Sequence, residues 1–84
     1  MFDSKNDIFM ILKGITKDIL QIELNEEDID REIINGVIDT LEKEVLLLSV
    51  EEDFNFKISK DKFNEIKTYR DLINLISDHF DIKN

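Results

Sequence analysis

The chain contains no proline and two glycines in 84 residues. Proline and glycine are the residues that stop or weaken a helix, so their scarcity makes helices the default structure. In residues 4–20, Ile8, Ile11, Leu12, Ile15 and Ile19 recur at i, i+3, i+4, i+7 and i+11, which is one helical stripe. Ser4 followed by Asp7 fits a capping box at its start. Gly14 lies inside this helix against propensity. Residues 21–38 lose the stripe. "ELNEEDIDREIING" reads as a long loop pinned to the core by Ile29, Ile33 and Ile34, with room for a short helical turn. Connections of this length are uncommon in a compact domain unless they have a function. A second helix is expected from about 40 to 54, with Asp39 as N-cap and Glu42 at N3, both acids favoured at the positive end of the helix dipole. "NFKIS" interrupts the pattern. "SKDKFNEI" (59–66) is predicted to form a short third helix capped by Ser59. Thr68 with Asp71 opens a fourth, whose apolar face is Leu72, Ile73, Leu75, Ile76 and Phe80. The expected fold is all-α: a small four-helix bundle with a long first loop and a short third helix.

The length implies one domain, 1–84, with a small core. The net charge is −9, and residues 22–54 carry the excess, with twelve acids against two bases, Arg31 and Lys43. Nucleic acid and anionic membrane surfaces are disfavoured as partners, because phosphate is met by Lys and Arg. Basic protein surfaces are favoured. The run "IFMIL" is too short for a signal-peptide core or a membrane span, so the chain is expected to be cytoplasmic. There is no cysteine and one histidine. No thiolate or zinc site and no nucleophile–base pair can be built from these, and no catalysis by the domain itself is expected. His79 suits a helix C-terminus. "EEDIDRE" places Asp28 and Asp30 at calcium-loop positions one and three. Glu32 and Ile33 then occupy positions five and six, where Asp or Asn and Gly belong, so no EF-hand is expected. At most, the acidic patch offers weak divalent binding.

Stepping the second helix at 100° per residue separates two faces. Leu46, Leu47, Val50 and Phe54 form a core sector. Leu41, Glu44, Val45, Leu48, Glu51 and Glu52 lie opposite. A small bundle cannot bury both sides, so the second face reads as a docking surface, with apolar contacts for affinity and carboxylates for steering and register. The other reading packs Leu41 and Leu48 on the long loop. Lys43 falls at the edge of the core sector, and its stem is expected to snorkel outward.

These residues resemble the acyl carrier protein family. Its members are acidic four-helix domains with a long first loop, Asp-Ser-Leu at the start of the second helix and Glu-Glu-x-Phe near its end. The matching stretches here are "GVIDTLEKEVLLLSVEEDF", with Asp39-Thr40-Leu41, and "KISKDKFNEIKTYRDLINLI". The likeness spans residues 6–80 and is strongest over 36–76. Gly36, four residues before Thr40, is closer to D-alanyl, peptide or polyketide carriers than to the fatty-acid type. The resemblance implies a discrete carrier of acyl or aminoacyl groups. In the family the motif serine holds 4′-phosphopantetheine through a phosphodiester, and the terminal thiol holds the cargo as a thioester. The preceding aspartate, here Asp39, helps the transferase place its metal and cofactor. The partners implied are a phosphopantetheinyl transferase and acyl- or aminoacyl-transferring enzymes with basic docking surfaces. The carrier itself is expected to be a monomer.

The chain departs from the family at Thr40. Threonine keeps a hydroxyl, but its methyl makes the oxygen secondary, crowds attack and restricts χ1. Ser49, deep in the helix, and Ser59, on another helix, do not replace it. Glu44 stands where the family usually has an aliphatic residue, which would shift partner preference. Two readings share the fold: a carrier attached at Thr40, and a cofactor-free relative that acts as a binding or regulatory subunit through the same face. A third, an unrelated helical interaction domain, would show a helical loop and no third helix.

Overall fold

The computed structural model describes residues 4–33 and 39–82. Four helices run in chain order: α1 (Lys5–Leu20), α2 (Thr40–Phe54), α3 (Lys60–Glu65) and α4 (Tyr69–His79). The described part of the first loop contains one 3-10 turn, Glu26–Asp28, and α3 is present, so the pattern expected of an unrelated interaction domain is not found.

Each helix begins on a side-chain cap, which satisfies an amide that has no partner inside the helix. The Ser4 hydroxyl accepts from the Asp7 amide, and the Ser59 hydroxyl from the Lys62 amide. Asp39 with Glu42 and Thr68 with Asp71 form reciprocal capping boxes. At their C-termini, α1 and α2 stop on Gln21 and Asn55, both left-handed at φ 57°.

The core gathers Ile8, Leu12 and Ile15 of α1, Leu46, Leu47, Val50 and Phe54 of α2, and Leu72, Ile73 and Ile76 of α4. One expectation about α1 needs correction. Ile19 shares the angular position of the stripe but is 38% exposed, while Phe9 and Thr16 are buried. A stripe fixes an angle on the helix, not where the core ends along its axis. Phe80, the C-cap of α4, is likewise exposed, while Tyr69, its first residue, is fully buried. The Tyr69 hydroxyl pairs with the Thr16 hydroxyl at 3.0 Å, and Thr16 can donate to the Leu12 carbonyl at 2.8 Å. Gly14 has no packing reason: an added Cβ would meet nothing within 4 Å.

The first loop is pinned by Leu24 and Ile33, both fully buried, and by the half-buried Ile29. Ile34 and Gly36 lie outside the described residues. Backbone bonds tie the loop to the α3–α4 connection and to the first turn of α4. The Ile33 amide donates to the Lys67 carbonyl at 2.7 Å, and the Arg70 amide donates to the Ile29 carbonyl at 3.0 Å. Glu32 and Thr68 form an antiparallel bridge, and Arg70 pairs with Asp30. No helix among the described residues is long and apolar enough to cross a membrane.

Candidate functional site

Asp39 is the N-cap of α2 and Thr40 its first helical residue. The Asp39 carboxylate accepts from the Glu42 amide at 2.8 Å, and the Glu42 carboxylate accepts from the Asp39 amide at 3.0 Å. This box fixes the backbone on both sides of Thr40. Thr40 is exposed. It stands where two open cavities meet. The larger, of about 550 Å³, is a groove between α2 and α3, with Leu47, Leu48, Ile58 and Phe63 as its apolar lining. The second, of about 480 Å³, runs toward Glu32, Lys43 and Lys67. A hydroxyl in this place can be reached from solvent, and a flexible group fixed to it can lie along α2 or turn into the groove.

The two faces of α2 separate as the spacing predicts. Leu46, Leu47, Val50 and Phe54 are buried. Leu41, Val45 and Leu48 are 73%, 44% and 59% exposed, so Leu41 and Leu48 are not packed away under the long loop. Glu44 and Glu52 are exposed beside them. Glu51 differs. It is half-buried, and its carboxylate accepts from the Ile58 amide at 2.6 Å. It therefore closes the turn after α2 as well as bordering the exposed face.

Lys43 contradicts the expectation that its stem snorkels outward. It is 4% exposed. Its ammonium donates to the Phe63 carbonyl at 2.9 Å and the Ile66 carbonyl at 2.6 Å, and sits 4.6 Å from the centroid of the Phe63 ring. The cause is α3, whose last carbonyls have no helical partner and form the negative end of its dipole. Burial, then the nearby Lys67, push the Lys43 pKa down, and Asp71 opposes them. Stepped at 100° per residue, Lys43 in fact falls between Val50 and Phe54, inside the core sector and not at its edge, so its angle alone signals burial, and a buried ammonium must find acceptors. The sequence does not say which carbonyls those are.

Among the described residues, no cluster of three or more His, Cys, Asp or Glu side chains is placed to hold a metal ion. At the far end of α4, His79 stacks on Phe56 with centroids 4.6 Å apart.

No family model matches the chain. Among curated proteins, it is similar to an acyl carrier protein of Coprothermobacter proteolyticus. The two are 34% identical over 73 residues, which cover 86% of this chain and 89% of that protein.

Proposed function

The chain belongs to the acyl carrier protein family, whose members carry groups rather than catalyse, and on that premise we propose that Thr40 is the attachment point of 4′-phosphopantetheine. The observation that carries the reading is the exposed Thr40, the first residue of a capped helix and part of the lining of the α2–α3 groove. The residues present fit the group. Thr40 supplies the oxygen, the Asp39–Glu42 box holds its backbone, and Leu41 lies exposed beside it. When attached, 4′-phosphopantetheine supplies a terminal thiol that bears an acyl or aminoacyl cargo as a thioester.

Leu41, Glu44, Val45, Leu48, Glu51 and Glu52 form the partner face in this reading. Its aliphatics give contact area, and its carboxylates meet basic surfaces on the transferase and the acyl- or aminoacyl-transferring enzymes. Glu51 contributes from the edge, because it is also bonded to the Ile58 amide. The same reading takes residues 1–84 as one carrier domain, monomeric and cytoplasmic.

One observation favours a second reading. The Thr40 oxygen is secondary and its β-branch restricts χ1, so a transferase shaped around serine meets a crowded nucleophile. On this reading the chain is a cofactor-free carrier relative that binds partners through the same face. Incubation with coenzyme A and a broad-specificity phosphopantetheinyl transferase separates the two, with intact mass as readout. The carrier reading expects a gain of one phosphopantetheine on the native chain and on Thr40→Ser, and none on Thr40→Val. A gain on Thr40→Ser alone would establish the cofactor-free reading. A gain on Thr40→Val would refute Thr40 as the attachment point.

A further inference from the structure

Helix α3 is six residues long and none of them is buried. Phe63 is its one apolar side chain, half-buried against the core, which is little packing to hold so short a helix in place. Two charged side chains of α2 reach across instead. Glu51 accepts from the Ile58 amide, just before α3. Lys43 donates to the Phe63 and Ile66 carbonyls at its end. Positions 43 and 51 are eight residues apart on α2, a rise of about 12 Å. Ile66 and Ile58 are also eight residues apart, in the opposite direction. The contacts therefore form an antiparallel clamp. Between its jaws lies the groove that opens beside Thr40, with Leu47 and Leu48 on one wall and Ile58 and Phe63 on the other.

We infer that Lys43 and Glu51 are positioning residues that hold α3 as the wall of the Thr40 groove and so set its width. Both contacts are charge-assisted, stronger than neutral hydrogen bonds. Both act on backbone groups, so they fix the course of the chain where Phe63 alone of α3 packs, half-buried, against the core. Breaking the Lys43 contacts releases the end of α3 nearest Thr40, and the wall moves there first. Only the claim that the groove receives a cargo rests on the carrier reading; the clamp is a property of the bare chain.

The test is residue-resolved amide hydrogen exchange on the unmodified chain. In Lys43→Met, which keeps the stem and loses the ammonium, the Phe63 and Ile66 amides should exchange about tenfold faster, with α1 and α4 unchanged, as a local opening requires. The chain has no cysteine, so Lys43→Cys can be aminoethylated in denaturant and refolded. That returns an ammonium at lysine's distance, and it should restore the native rates that Lys43→Cys alone loses. If Lys43→Met does not fold, Glu51→Ala carries the test, with faster exchange expected at Ile58 and Phe63. Exchange that rises equally in α1, α3 and α4, no rise in α3, or no recovery on aminoethylation would overturn the inference. Failure of Thr40 to accept a cofactor would leave these rates as they are, so the two readings fail separately.

Discussion

Tyr69 is the one tyrosine of a chain without tryptophan, and it is fully buried. Burial pushes its phenol above the ordinary value of 10.0, and the hydrogen bond with Thr16 partly opposes that. A folded-state pKa raised in this way contributes stability that is fully present below pH 10.0 and lost as pH rises through the folded value. The tyrosinate absorbance band should therefore titrate above 10.0 in the native chain and close to 10.0 in urea. A native midpoint at or below the urea midpoint would contradict the buried pairing. At this scale the sequence is uneven. Asp39 and Thr40 are legible because a cap and its first helical residue are adjacent in the chain. The burial of Lys43 is written in its angle, inside the core sector of α2, but its acceptors are not, because they lie twenty and twenty-three residues away. Thr16 and Tyr69 share that difficulty, being joined across fifty-three residues.

The helices are the most legible elements, since their starts are written as local side-chain caps and their faces as periodicity. The two-sided pattern of α2 is found as predicted, with Leu41 and Leu48 in solvent opposite Leu46 and Val50. Periodicity gives a side chain's angle, not its reach. Glu51 lies at the docking angle, yet its carboxylate turns to the Ile58 amide. Reversing its charge would disturb the fold as well as the face. Glu44 and Glu52 are the cleaner test. The double variant Glu44→Lys/Glu52→Lys should raise the transferase's KM for the carrier about tenfold with kcat little changed, as expected when steering charges at a rim are reversed. An unchanged KM would sink the proposed face. The first loop is the least legible element. Its apolar residues are isolated, and the bonds that seat it run to Lys67, in the connection after α3, and to Arg70, in the first turn of α4.

The molecule as a whole separates stability from presentation. α1, α2 and α4 share the core, while the acidic middle of the chain runs through the first loop and along the outer side of α2. Thr40 lies where that acidic surface meets the groove. On the proposed reading this arrangement serves a carrier: a packed body, Thr40 as the attachment point, and a charged face that partners meet before they reach the cargo. Sequence spacing and capping convey most of this architecture. They do not convey the groove, whose second wall depends on a clamp between distant residues. The central claim is that Thr40 bears the cofactor, and the intact mass of the chain purified from the cells that naturally make it tests that most directly. The expected species is heavier by one phosphopantetheine, alone or with an acyl or aminoacyl group, with the added mass on the peptide containing Thr40. Only the unmodified mass, under conditions where other carriers in the same cells are loaded, would contradict it.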